Sequence, residues 1–181
     1  EGPVSGNILL RRAHHALASE AAFALEVAKA CVAGKLRNCR QVLLRGAREN
    51  VDSSEQETLA AGAEDLAQAL RRTQLAPDLD GLRGVEGDAA KRYFGCLALL
   101  VRADQRDAFA MSGRTRRPPL DRFNALLSFF YSMVMNDCRS AAESVGLDPQ
   151  LGFLHAVRPG RAALALDLME EFRPVLADRL A

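Results

Sequence analysis

Residues 17–43 read LASEAAFALEVAKACVAGKLRNCRQVL, and their apolar positions decide the fold class. Leu17, Ala21, Ala24, Ala28, Cys31, Val32, Leu36, Cys39 and Leu43 recur at helical spacing, which gathers them on one buried face. Gly34 is a candidate break or kink in this run. The same period returns in residues 55–73 through Leu59, Ala63, Leu66 and Leu70, and in residues 85–101 through Ala90, Tyr93, Leu97 and Leu100. Residues 119–138 repeat it with Leu120, Phe123, Leu127, Phe130 and Val134, and Pro118-Pro119 suits their first turn. A last helical segment, 161–181, carries Pro174 inside its pattern. No stretch alternates as a strand does. The expectation is an all-α, bundle-like domain of five to seven helices, with loops near residues 75–84, 112–119 and 146–152.

The 181 residues are 49% apolar and 26% charged, enough for one packed core and incompatible with disorder, a collagen-like repeat or a disulfide scaffold. Cys31, Cys39, Cys96 and Cys138 show no metal-type or loop-closing spacing, so they read as reduced, buried thiols in a cytosolic chain. No apolar run reaches the roughly 20 residues of a membrane span. The opening Glu1-Gly2-Pro3-Val4 is neither a leader nor a natural start, and the final residues still read as helix. Residues 1–181 are therefore expected to be one helical domain cut at both ends. Net charge is only +1, yet residues 11–48 hold eight basic groups against two acidic, and residues 49–65 hold six carboxylates with no Lys or Arg. Opposed patches of this kind leave room for a polyanion. Three lysines, Lys29, Lys35 and Lys91, stand against 21 arginines. That excess fits either phosphate recognition or the codon bias of an Ala- and Arg-rich genome.

Four features carry chemistry. Glu86 projects from the apolar stripe near the start of the 85–101 segment, where it needs either a basic partner or a ligand. His155 follows the apolar run Leu151-Gly152-Phe153-Leu154 and reads as a hydrogen-bonded core residue or a metal ligand. His14 and His15 read as solvated. Asp167 and Glu170 sit one turn apart, next to Glu171 and just before Pro174, forming either a solvated acidic face or a cation site. One His and two or three carboxylates from separate helices make a hard donor set that suits Mg²⁺ or Mn²⁺, and less readily Zn²⁺. Their separations of 69 and 15 residues match no fixed ligand motif. The fourth feature is the basic loop Gly113-Arg114-Thr115-Arg116-Arg117-Pro118-Pro119-Leu120-Asp121-Arg122, a solubilising loop or a phosphate grip beside a metal. After it, Asn124, Ser128 and Ser132 form a polar stripe suited to close helix packing or to supporting a site from behind.

Taken in chain order, several blocks resemble the CRISPR-associated spacer-acquisition integrase family (Cas one), in its C-terminal helical catalytic domain. They are Ser5-Gly6-Asn7-Ile8-Leu9-Leu10-Arg11-Arg12, Lys35-Leu36-Arg37-Asn38-Cys39-Arg40 and Glu86-Gly87-Asp88-Ala89-Ala90-Lys91-Arg92-Tyr93-Phe94. Next come Arg114-Thr115-Arg116-Arg117-Pro118-Pro119-Leu120-Asp121 with Asn124-Ala125-Leu126-Leu127-Ser128-Phe129. The last are Gly152-Phe153-Leu154-His155 and Leu164-Ala165-Leu166-Asp167-Leu168-Met169-Glu170-Glu171-Phe172-Arg173-Pro174. The resemblance implies a metal-dependent DNA integrase and endonuclease of prokaryotic adaptive immunity, cytoplasmic, in which Glu86, His155 and Glu170 are catalytic and hold Mg²⁺ or Mn²⁺. Asp167 then joins them at the metal as an auxiliary acid, and Arg158 and Arg173 join Arg114, Arg116 and Arg117 as phosphate contacts whose affinity falls steeply with salt.

The implied reaction is transesterification, in which a protospacer 3′-hydroxyl attacks a phosphodiester at the edge of the CRISPR repeat. Implied partners are DNA, a small second integration subunit (Cas two) flanked by two dimers, and hence a homodimer of the full-length protein. The family's N-terminal β-rich domain has no counterpart in this sequence. Cys39 stands where the family often has Gln, and the block around Lys35 is given no catalytic role. The rival readings are a non-enzymatic helical interaction module, whose acids and arginines pair with each other, and a metal-dependent nuclease that cuts without joining.

Overall fold

The computed structural model describes residues 7–111 and 113–181. The opening Glu1-Gly2-Pro3-Val4, the Ser5-Gly6 pair of the first matching block and Ser112 at the head of the basic loop lie outside the described residues. Among the described residues six α-helices carry the fold and there is no strand. They are α1 (Ile8–Ala18), α2 (Ala21–Glu49), α3 (Ser53–Leu75), α4 (Leu79–Leu97), α5 (Arg122–Ser144) and α6 (Ala163–Phe172). Short 3₁₀ turns at Ala98–Leu100 and Ala103–Gln105 lead away from α4, and a π-helical turn at Arg173–Ala177 extends α6.

The spine is α2, whose 29 residues span about 43 Å. Its stripe of Ala28, Val32, Leu36, Cys39 and Leu43 is buried, as the spacing predicts. A three-residue turn after α2 returns the chain as α3, and another returns it as α4, so these helices pack as antiparallel neighbours. Leu59, Ala63 and Leu66 of α3 meet Leu82, Tyr93 and Leu97 of α4 in the same core. Helix α6 packs on the other flank of α2 and is covered by α5. Val134 and Cys138 of α5 meet Ala165 and Met169 of α6 there.

Gly34 does not break α2, which runs straight through it. A Cβ there would stand 3.0 Å from the Glu171 Cδ atom, so the missing side chain is what lets α6 come close. The residues expected in a linker at 75–84 are also partly helical. Asp78 accepts a hydrogen bond from the Gly81 N–H and starts α4 at Leu79, so Glu86 lies in the second turn of that helix. The prolines expected in the first turn of α5 lie outside it. Asp121 is the cap, accepting from the Asn124 N–H. Pro174 changes the end of the last helix. Without its N–H the ladder changes register, and the Asp178 N–H reaches the Arg173 carbonyl five residues back.

The four cysteines are free, three of them buried and Cys31 partly so. Among the described residues no helix is long and apolar enough to cross a membrane.

Candidate metal centre

Helix α6 begins without a side-chain cap. Its first free N–H groups, on Leu164 and Ala165, donate to the Pro149 carbonyl. This ties the loop at residues 146–155 to the start of α6 and carries His155 toward Asp167. The Asp167 side chain is fully buried. Its Oδ2 accepts from the N–H groups of Phe153 (2.6 Å) and Leu154 (3.0 Å). Its Oδ1 accepts from the His155 N–H at 3.0 Å and pairs with His155 Nδ1 at 2.6 Å. Gly152 makes room for this arrangement, because a Cβ there would stand 2.7 Å from both Asp167 Oδ2 and the Ala163 carbonyl carbon. A carboxylate acceptor places the imidazole proton on Nδ1 and leaves the Nε2 lone pair free. Nε2 lies 3.9 Å from Glu170 Oε1.

Glu170, one turn beyond Asp167, is also buried, which overturns the reading of this pair as a solvated acidic face. Arg173 Nη1 stands 3.0 Å from its Oε1 and Lys35 Nζ 2.8 Å from its Oε2. The same Lys35 ammonium pairs with Glu86 Oε1, so one buried lysine joins α4 to α6 across α2. Burial pushes the Glu170 carboxyl up, but the charges of Lys35 and Arg173 outweigh it and hold the group below its ordinary value. Burial likewise pulls Lys35 down, and the charges of Glu170 and Glu86 overcome it and raise it. Glu170 Oε2 has no aligned hydrogen bond despite its ion pair, so acceptor capacity remains on that oxygen.

Glu86, His155 and Glu170 face one cleft of about 450 Å³, whose wall also holds Arg83, Arg158 and Arg161. Arg83 donates to the Leu154 carbonyl through Nε (3.1 Å) and Nη2 (2.7 Å), bracing the His155 loop from α4. Arg158 is exposed at the rim. Arg173 lies over the Tyr131 ring, 4.9 Å from its centroid. Tyr131 in turn donates to Asp178 Oδ1 at 2.6 Å, and Tyr93 donates to Oδ2 at 2.9 Å.

The basic loop divides by role. Asn124 is fully buried and accepts from Arg114 Nη1 (2.8 Å) and the Thr115 N–H (3.0 Å), while its amide donates to the Gly113 carbonyl (2.8 Å) and Asp121 Oδ2 (2.6 Å). Arg114 is spent inside the structure, donating also to Ser128 Oγ at 3.2 Å and stacking on Tyr131. Arg116 and Arg117 remain exposed. The structure therefore brings Glu86, His155, Glu170, Asp167, Arg158 and Arg173 together and sets Arg114 and Asn124 to hold the loop that displays Arg116 and Arg117.

One histidine departs from expectation. His14 is buried rather than solvated, because the 146–152 loop folds over α1 and its Nε2 donates to the Leu151 carbonyl at 2.9 Å. Burial leads in lowering its pKa. His15 is half exposed beside Asp148.

Three site residues escape the sequence reading. Lys35 was placed in a block without a chemical role, although a lysine in an apolar helical stripe is itself a signal of a buried anion. Arg83 and Arg161 carried no such signal. Among the described residues no three His, Cys, Asp or Glu side chains form a metal-holding group, and Lys35 takes the position between the two glutamates. The donors nonetheless fit a hard divalent cation, since two carboxylates and an imidazole nitrogen line one cleft and one carboxylate oxygen has acceptor capacity to spare.

The model of the family "CRISPR associated protein Cas1" matches residues 1–181. A CRISPR-associated endonuclease Cas1 of Moorella thermoacetica is 55% identical over 181 residues, covering 100% of this chain and 52% of its own length. Another, of Rhodospirillum rubrum, is 55% identical over 185 residues, covering 100% of this chain and 53% of its own. The chain thus spans about half the length of these relatives. A Cas1 protein of Thermotoga maritima has a similar solved structure, with a TM-score of 0.79, 26% identity, and coverage of 97% of this chain and 52% of that one. A casposase bound to integration product gives a TM-score of 0.78 at 25% identity over 97% of this chain and 46% of that one. A partial Cas6-RT-Cas1–Cas2 complex gives 0.78 at 29% identity over 92% of this chain and 48% of that one. With the whole chain matched and its all-α architecture shared, this protein belongs to the CRISPR-associated Cas1 family.

Proposed function

We propose that this domain is the catalytic part of a divalent-metal-dependent DNA integrase and endonuclease that joins protospacer 3′-hydroxyl ends to the CRISPR repeat. The observation that carries the reading is the convergence of Glu86, His155 and Glu170, from α4, a loop and α6, on a cleft edged with arginines. The likeness to a casposase bound to integration product and to a complex containing Cas1 and Cas2 supports DNA and a small Cas2-type subunit as partners. The full-length protein acts as a homodimer in the prokaryotic cytoplasm.

Glu86, Glu170 and His155 would hold Mg²⁺ or Mn²⁺, which would supply Lewis-acid stabilisation of the phosphate and favour the ionised form of the attacking hydroxyl. Asp167 keeps the His155 ring in one orientation and one tautomer. Arg158, with Arg161 and Arg83, lines the path of a phosphate backbone, and Arg116 and Arg117 extend it along the basic loop that Asn124 and Arg114 brace. Arg173 offsets the charge of Glu170. In the reaction a new P–O bond forms to the protospacer 3′-oxygen as the repeat's own bridging P–O bond breaks, and the hydroxyl proton passes to the leaving oxygen.

A strand-transfer assay with the complete protein and its small partner tests this. Glu86→Ala, His155→Ala and Glu170→Ala are each expected to abolish joined products with Mn²⁺. Cleaved but unjoined strands from the wild type would instead support a nuclease without integration. The ion pairs of Lys35 favour the interaction-module reading, in which acids and bases serve only each other. Wild-type protein that neither cuts nor joins DNA, and that melts identically with Mn²⁺ and with chelator, would support that module.

A further inference from the structure

Lys35 lies in the apolar stripe of α2 between Val32 and Cys39, and its ammonium reaches Glu86 on one side and Glu170 on the other. Glu170 is buried and Glu86 partly so, and two carboxylates that one ammonium can reach repel unless a cation stands between them. Lys35 supplies that cation at the point where the carboxylates would share a metal. With Arg173 beside Glu170, the two acids already face two cations, and the further charge of Asp167 is taken up by three backbone N–H groups and His155. A divalent ion added to this set would crowd three cations around two glutamates.

The residue type fits a cation that leaves. A lysine is a point charge on a flexible four-carbon stem, whereas an arginine fork would lock both carboxylates through several donors. The chain uses arginine 21 times and lysine three times, and at this buried position it uses lysine. The cleft of about 450 Å³ is lined by both of the carboxylates that Lys35 bridges, so a cation entering it meets the same two acids.

We infer that Lys35 is the resident counter-ion of the metal site, holding Glu86 and Glu170 in place in the metal-free protein and withdrawing from between them when the divalent cation binds. The inference rests on the metal reading given above and adds the competition. Lys35 is a positioning residue here, because it acts through the two carboxylates.

The test is amine labelling of the full-length protein, followed by mass spectrometry, with and without saturating Mn²⁺. Lys91 is exposed and serves as the internal reference. Labelling of Lys35 relative to Lys91 is expected to rise with Mn²⁺ occupancy, and Glu86→Gln is expected to remove the rise. In calorimetric titrations Lys35→Met is expected to bind Mn²⁺ at least about tenfold more tightly, and Lys35→Arg more weakly than wild type. Lys35→Met takes from Glu86 the ammonium it pairs with and leaves Glu170 to Arg173, and it can fail to fold without metal, so the wild-type labelling stands as an independent test. Unchanged Lys35 labelling at saturation, or Mn²⁺ affinity in Lys35→Met no greater than wild type, overturns the inference while leaving the metal site intact. No saturable Mn²⁺ binding by the wild type overturns the metal reading and the inference with it.

Discussion

Replacing Asp167 separates two roles for an acid one turn before Glu170. As a ligand among acids, it repels Glu170 in the metal-free protein, and its removal should leave stability unchanged or raised. As a scaffold, it holds four hydrogen bonds of 2.6 to 3.0 Å from the 153–155 loop, all on a fully buried carboxylate. Hydrogen bonds to a charged group are worth about 1.5–3 kcal/mol each, and in one network they do not add. Asp167→Ala strands three backbone N–H groups, so a loss of about 3–5 kcal/mol is expected. Asp167→Asn keeps the shape but turns one oxygen into an N–H donor that faces donors, and it should lose a comparable amount. In a chain of this size about 1 kcal/mol moves the midpoint by about 2–4 °C, so Asp167→Ala should melt about 6–20 °C lower. The assay is thermal denaturation followed by circular dichroism, in chelator so that no metal contributes. A midpoint at or above that of the wild type would refute the scaffold role.

The glycines give a paired prediction. Gly152→Ala forces a Cβ to 2.7 Å from backbone and from Asp167, at a cost of about 1–3 kcal/mol, whereas Gly84→Ala on exposed α4 meets nothing within 4 Å and should gain about 0.5–1 kcal/mol in urea denaturation. Equal effects at the two sites would contradict the packing. Asp178 predicts a pH dependence. Burial raises its carboxyl above the ordinary value, against the hydrogen bonds of Tyr131 and Tyr93, so the folded state holds its proton more tightly than the unfolded chain. Stability from this group is therefore present at low pH and declines as pH rises from the unfolded value of about 4 through the raised folded one. The midpoint of the wild type minus that of Asp178→Asn should shrink across this window. A constant difference would count against it.

The α2 stripe was readable because eight apolar positions from Ala21 to Leu43 keep one period, although the ninth, Leu17, falls in α1 and the chain turns at Ser19 and Glu20 between the two helices. Helix α4 was harder. Asp78, Asp80, Gly81 and Gly84 carry turn chemistry, yet Asp78 spends its carboxylate on a cap and packing of Leu82 keeps the following residues helical. Glu86, His155 and Glu170 were recognisable as a set by residue type and by resemblance, whereas their shared cleft depends on three elements meeting. The division of labour between Asp167 and Glu170 could not be read at all. Both face one side of α6, and only the backbone N–H groups of a loop 12 to 14 residues away decide which is occupied. Lys35 was visible in its stripe, but its partners lie 51 and 135 residues further along the chain. His14 was misjudged for the same reason, since the loop that buries it comes from the other end of the sequence.

Electron paramagnetic resonance of free Mn²⁺ during titration of the full-length protein tests the central claim most directly. The account predicts a saturable site in the wild type that is lost or severely weakened in Glu86→Ala, His155→Ala and Glu170→Ala alike, and retained in Arg116→Ala. Wild-type binding that all three ligand variants preserve, or no saturable binding in the wild type, would contradict it.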